Sequence, residues 1–472
     1  MRLTKLTIIT IIALGLFSCS DEACDNTCPT GFIQDISCNC VQTEPCAGLT
    51  CPEGEILTAA CDCITDPSNQ GEFSTITKTG FLAVSETWTK DNIYILNGKV
   101  VVDAGSTLTI EAGTIIKAED DAGSLASALI VAQGGTIMAN GSASEPIIFT
   151  SIKDEIQPGM IVSPNLTEFD NQLWGGLILL GYAPVSTADG NSVGHIEGIP
   201  RDDAFGSYGG DDPEDNSGVL RYISVRHGGI VIGGDNELNG ITFGGVGNGT
   251  IVENIEVVAN LDDGIEWFGG TVNCSNVVVA FGEDDGLDID QNYAGTISNA
   301  FVITSGATAG DNALEIDGPE GSLTDGFFTI KDITLIDKDG EADTAADLKS
   351  KTQGTITNAS WRGFKDNVKI RYSCEASDCT TEKSDSYTNY ISGNLSIQNS
   401  EWVGDIEFAD WNSVYGDRDC ENDAVCNVST DQQQAIENLI SNAGNIIVAS
   451  ASKGADAAPF SGWSWVAATN NL

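Results

Sequence analysis

Between Asn260 and Gly318 one short pattern is written three times, and a chain that repeats itself at this interval has few ways to fold. The copies are Asp262-Asp263-Gly264-Ile265-Glu266-Trp267, Asp284-Asp285-Gly286-Leu287-Asp288-Ile289-Asp290 and Asp311-Asn312-Ala313-Leu314-Glu315-Ile316-Asp317. Each opens on a turn signal, with Asp for the local hydrogen bond and Gly for positive φ, and continues as a strand alternating apolar with acidic residues. Gly264 and Gly286 lie 22 residues apart, Asp285 and Asn312 27, lengths that suit one coil of a solenoid. A unit this short cannot bury its own apolar face, so successive units must stack. Stacking in register turns Ile265, Leu287 and Leu314 inward and sets Glu266, Asp288 and Glu315 in one outward column. Asp290 and Asp317 begin a second.

From Phe73 onward the chain is short strands and turns. Val100-Val101-Val102, Leu129-Ile130-Val131, Ile251 to Val258, Val277-Val278-Val279, Phe301-Val302-Ile303 and Ile330 to Ile336 are strands, and the 53 Gly fit many turns between them. Asp212 to Asn216 and Asp337 to Lys351 are too polar for strands and are expected as loops. Leu108-Thr109-Ile110-Glu111-Ala112-Gly113-Thr114-Ile115-Ile116, Gly134-Gly135-Thr136-Ile137, Glu145-Pro146-Ile147-Ile148-Phe149-Thr150, Trp174-Gly175-Gly176-Leu177-Ile178 and Ser217-Gly218-Val219-Leu220-Arg221-Tyr222 give the chain a family likeness. From about Phe73 to the C-terminus it resembles the right-handed parallel β-helix surface lipoproteins of Bacteroidota type. That resemblance implies an all-β solenoid at the cell surface and brings no catalytic residues with it.

An open β-helix exposes a strand edge at each end. The Cys-rich N-terminal module and the Trp88 region are expected to cover the first. Ser429 to Asn442 carries a Ser-Thr cap and sets Ile436, Leu439 and Ile440 on one face, which makes it the one clear helix and the expected cover of the other. Trp463 and Trp465 would form the last inward step. Residues 71–428 are thus the β-helix and 429–472 its C-terminal cap.

Residues 1–18 read as a signal peptide, with Arg2 and Lys5 before an apolar run too short to span a membrane as a mature helix. Leu16-Phe17-Ser18-Cys19 looks like a lipobox, making Cys19 the lipidated residue, and Ser20-Asp21-Glu22 resembles a surface-export signal. The expected location is the outer membrane, lipid-anchored and facing outward. In residues 19–70, Cys24, Cys28, Cys38 and Cys40 are echoed by Cys46, Cys51, Cys61 and Cys63, with Cys-Pro-x-Gly in both copies. So few residues need disulfides for stability. Zinc would require thiolates, and no His lies nearby. This tandem module reads as a stalk, followed by a linker from Thr65 to Glu72. Beyond it, Cys374 with Cys379 and Cys420 with Cys426 would close short loops, leaving Cys274 as a buried free thiol.

The formal charge of −48 excludes nucleic acid and anionic lipid headgroups as partners and favours cations. Carboxylates stacked about 5 Å apart repel by about 3 kcal/mol at an effective dielectric of ~20. A bound cation relieves that repulsion and adds several oxygen ligands at once, and calcium suits clustered carboxylates at turns. The candidate ligands are Asp262, Asp263, Glu266, Asp284, Asp285, Asp288, Asp290, Glu315 and Asp317; a solvated acidic face is the alternative. At Asp366-Asn367-Val368-Lys369-Ile370-Arg371 the pattern returns with bases in the acidic columns. Lys369 and Arg371 would compensate charge, or serve a calcium-dependent lyase. His195 and His227 are expected as polar surface or turn residues. The reading preferred from sequence is a noncatalytic, calcium-dependent binding or adhesion protein. Its partner would be a glycan, another surface protein or an outer-membrane transporter, and a polysaccharide lyase or glycoside hydrolase is the alternative.

Overall fold

The computed structural model describes residues 73–472 apart from 121–122, 233–236, 309, 343, 365, 405–411 and 417–424, together with four short strands nearer the N-terminus. Those strands form two antiparallel hairpins, Phe32–Gln34 with Cys40–Gln42 and Glu55–Leu57 with Cys63–Thr65. Ile33 faces Val41 as Ile56 faces Ile64, so the two copies of the Cys-rich repeat share one hairpin and one register. The signal segment, Cys19, the linker and the expected disulfides of the module lie outside the described residues. The chain divides into two compact units, Met1–Phe73 and Ser74–Leu472.

The second unit is a parallel β-helix. Its coils stack strand on strand around three faces, each coil-to-coil pairing parallel, and the one antiparallel pair among the described strands of this unit, Gly194–His195 with Ser207–Tyr208, lies outside the coils. The first face climbs through Ala128–Val131, Leu177–Leu180, Ile241–Gly244, Ile265–Phe268, Leu287–Asp290, Leu314–Ile316, Thr344–Leu348, Asp366–Tyr372 and Asn412–Gly416. Thr344–Leu348 falls inside the segment expected as a loop. It is a strand despite its polarity because Asp347 occupies an outward position while both neighbouring strands pair with it.

The second and third faces are often one strand bent at a corner, as in Ile251–Val258, Asn273–Ala280 and Thr296–Thr304. Asn254, Asn276 and Asn299 sit at these corners with φ of 56°, 53° and 53°. Asn tolerates this left-handed conformation because its short side chain finds local hydrogen bonds. Here the amides bond to one another, Asn276 Nδ2 to Asn254 Oδ1 at 3.0 Å and Asn299 Nδ2 to Asn276 Oδ1 at 2.7 Å.

Inside, Ile241, Ile265, Leu287, Leu314, Ala346 and Val368 form one buried apolar ladder. Each fully buried aliphatic side chain contributes about 1.5–3 kcal/mol. Gly264 and Gly286 begin their strands without positive φ, contrary to the turn reading. They are required by space: a Cβ on Gly286 would lie 2.3 Å from Val302 Cγ1 and 2.7 Å from the Ala313 carbonyl.

The first coil closes itself. Trp88 stacks on Tyr94 at 4.8 Å, and the Lys78–Glu86 ion pair lies beside it with Lys78 over the indole. At the other end Thr430–Asn442 is helical, its N-terminus held by a capping box between Ser429 and Gln432. Ile436 and Ile440 enter the interior core, whereas Leu439 is exposed. A shorter helix, Ser386–Ser392, capped by Asp385, was not foreseen.

Trp463 and Trp465 are not an inward step. The last residues fold back along the outside of the third face, packing Phe460, Trp463, Trp465 and Val466 on Val258, Val278, Phe301 and Ile303. The backbone N–H groups of Trp465 and Val466 donate to buried Glu256, both at 3.0 Å. The inward aromatic step near the C-terminal end is instead Trp361 on Trp402, 5.0 Å apart.

Cys374 pairs with Cys426, replacing the two short loops expected from spacing; Cys379 is also disulfide-bonded. Their α-carbons, 5.8 Å apart, are brought together by tertiary folding across 52 residues. Cys274 is free and buried, and burial pushes its thiol up to about 12. His227 stands in a left-handed turn but is fully buried, with Nδ1 against the Asp170 carbonyl.

Candidate cation site on the first face

The register builds the site. Thr242, Glu266, Asp288, Glu315, Asp347 and Lys369 succeed one another in one outward column. Phe268 and Asp290 lie beside it, and Lys349 and Arg371 follow Leu348 and Ile370 in the later coils. Side chains of corresponding residues are therefore one strand spacing apart, about 4.8 Å. The columns expected from sequence are real, and Lys369 does extend the first of them.

What sequence did not disclose is burial. Glu266 is 5% exposed, Asp285 4% and Asp347 2%. The face is covered by the two segments that flank the coil strand Gly218–Arg226, the first packing Ile196, Ile199 and Tyr208 and the second Ile230 and Leu238 over Val101, Ile130 and Ile178 of the earlier coils. From the turn one coil earlier Asn239 Nδ2 donates to Glu266 Oε2, and from the cover the charges of Glu197 and Glu237 act on Asp262. This is an acid-lined trough under a lid, not a solvated face.

Three groups of carboxylates can each bring one oxygen per residue within 4.8 Å of the others: Asp262, Asp263 and Asp284; Asp263, Glu266 and Asp288; and Asp284, Asp285 and Asp311. Backbone amides hold part of this set, Asp285 N donating to Asp263 Oδ1 at 3.2 Å and Asn312 N to Asp285 Oδ1 at 2.9 Å. Asp285 also lies within hydrogen-bonding reach of Glu315, an arrangement of two carboxyls that needs a proton or a cation between them. Asp288 Oδ1 is buried with no partner.

Desolvation, followed by the neighbouring carboxylates, drives five acids at the centre far upward. Asp263, Glu266, Asp285, Asp288 and Asp290 are held well above the carboxylate range, and Asp262 rises to about 7. Asp317 also rises to about 7, from burial against the opposing pull of Lys349. Asp284 rises by burial and by the charge of Glu315.

Among the described residues, bases enter the columns toward the C-terminal side of the trough. Lys349 makes an ion pair with Glu315, and although burial opposes its charge, Glu315, Asp317 and Asp288 raise its pKa. Arg371 pairs with Asp347, Nε to Oδ1 at 2.7 Å, and lies over the Tyr415 ring at 4.7 Å. His195 is remote in chemistry as well as sequence, its two nitrogens facing the Ile196 and Asp203 carbonyls.

Sequence reasoning missed Asp311, Asn312, Asp347, Glu197, Glu237 and Asn239. Asp311 and Asn312 stood in the third copy of the pattern and were legible there. Asn239 opens Asn239-Gly240-Ile241-Thr242-Phe243, the copy of the pattern one coil earlier, and was legible there; Glu197 and Glu237 carry no local signal, because only the folded cover brings them to the coils.

The profile described as "Pectate-lyase like beta helix domain" matches residues 80–438. The chain belongs to this family. No curated protein and no solved structure matches it. Membership in the pectate-lyase-like β-helix family agrees with the three-faced parallel coil and fits either a surface-binding or a polysaccharide-acting protein. Among the described residues no helix is long and apolar enough to cross a membrane.

Proposed function

We propose that this protein is a lipid-anchored surface β-helix that binds a glycan or a surface protein noncatalytically, with calcium in the covered trough stabilising the fold. The observation that carries the calcium reading is Asp288 Oδ1, buried without a partner where Asp263, Glu266 and Asp288 converge. An unpaired buried carboxylate oxygen is costly, and a hard divalent cation with oxygen ligands removes that cost. The noncatalytic reading is supported by the cover over the acids and by the engagement of Lys349 with Glu315 and of Arg371 with Asp347. Partners such as an outer-membrane transporter are compatible with the acidic surface, and nucleic acid is not.

A calcium-dependent polysaccharide lyase or glycoside hydrolase is the second reading, favoured by the family and by Lys369 and Arg371 at the end of the carboxylate columns. Purified protein incubated with acidic and neutral polysaccharides, with and without chelator, separates the two. Saturable binding without product release supports the first reading; turnover that vanishes in Lys369→Ala overturns it. For the anchor, Cys19→Ser should yield an unprocessed or unanchored chain, and a membrane-bound mutant of the same processed mass would refute lipidation.

A further inference from the structure

We propose that the trough is a two-ion site, one divalent cation on Asp263, Glu266 and Asp288 and a second on Asp284, Asp285 and Asp311, with Asn312 Oδ1 as a further donor to the second. This rests on the calcium reading above and adds its stoichiometry and the second set of ligands. The three convergent carboxylate groups are not equivalent. Two of them have no member in common, so both can be filled at once. The third, Asp262, Asp263 and Asp284, borrows one residue from each and therefore bridges the pair without forming an independent site.

Asn312 supplies the observation that acidity alone does not. It is 4% exposed, and its Oδ1 has no hydrogen-bond partner. Its backbone N–H donates to Asp285 Oδ1 at 2.9 Å, which sets the residue beside that carboxylate. A buried, unpartnered amide oxygen on the residue between Asp311 and the strand, bonded through its backbone to Asp285, is an oxygen ligand of the kind calcium takes together with carboxylates. Asp288 Oδ1 plays the same part in the other group. A single ion in either group leaves the other orphan oxygen and its carboxylates unrelieved.

The full chain, stripped of metal and titrated with calcium, should bind two ions per molecule, read by native mass spectrometry or by dialysis and elemental analysis. Asp311→Asn combined with Asn312→Leu should lose one ion, and Asp288→Asn should lose the other. Circular dichroism of each variant checks that the coil persists. A variant-free measurement is manganese resonance: two Mn²⁺ ions in neighbouring coils should broaden each other's signal at full loading and not at low loading. One calcium per chain with an unbroadened manganese signal overturns this inference and leaves the single-ion reading standing. No bound calcium overturns both.

Discussion

The first face carries two regions that share register, strand direction and burial, yet differ in chemistry. Over the early coils its outward positions are Val101, Ile130 and Ile178, sealed by Ile199, Ile230 and Leu238 of the cover. Two coils further, the same column reads Glu266 and Asp288, equally removed from water. The apolar region shows that this position under this cover is satisfied by hydrocarbon. Acids in the next coils are therefore not a consequence of the fold, and they are stable there only if protons, bases or cations offset them.

The largest effect should come from carrying the acidic chemistry into the apolar region. Ile178→Asp buries an unpaired carboxylate where no oxygen ligand set or base has been built, and it should cost about 3–5 kcal/mol in denaturant unfolding. A loss below about 1 kcal/mol would mean that the cover tolerates charge anywhere, and the contrast between the regions would collapse.

Removing metal is next. A cation at a hundredfold excess over its dissociation constant adds about 2.7 kcal/mol, so chelation should lower the melting temperature. Asp288→Asn with Asp290→Asn should remove the part of that response due to the ion on Asp263, Glu266 and Asp288, at little cost in metal-free buffer. The response should also depend on pH. Asp262 and Asp317 have folded-state pKa values raised to about 7, above their unfolded values. The folded chain thus holds more protons, and metal-free stability falls as pH rises from about 4 through 7. Calcium replaces those protons, so the gap between the calcium and chelator melting curves should widen over the same range. A constant gap would disconnect the acids from the metal.

Gly286→Ala tests the coil beneath the acids without touching a charge. Its Cβ meets Val302 and the Ala313 carbonyl, and overpacking of this kind costs about 1–3 kcal/mol. Calcium stoichiometry should survive; its loss would show that ligand geometry depends on this backbone approach.

The smallest effect is expected from deleting Cys24 to Cys63. Trp88, Tyr94 and the Lys78–Glu86 pair close the first coil from within residues 74–102, so the melting curve should be unchanged. A lost β-sheet circular dichroism signal would make the Cys-rich module a cap.

How much of this was legible follows the range of the interactions concerned. The three-copy pattern determined the parallel coil, the inward ladder from Ile265 to Leu314, the acidic columns and the place of Lys369, because strand periodicity and stacking depend on residues one coil apart. The helix from Thr430 and its cap were equally local. The Asn corners were present at 254, 276 and 299 but went unread, since a single left-handed residue leaves no apolar period. Tertiary structure alone decided the rest. It buried the acids under a cover, drew Glu197 and Glu237 to the trough, returned Trp463 and Trp465 along the outside, and joined Cys374 to Cys426. Sequence spacing carries no information about contacts between segments that each satisfy their own backbone and meet only when the coil has formed. Whether a column of carboxylates faces water or is sealed away is a property of what lies over it, and that is settled by packing.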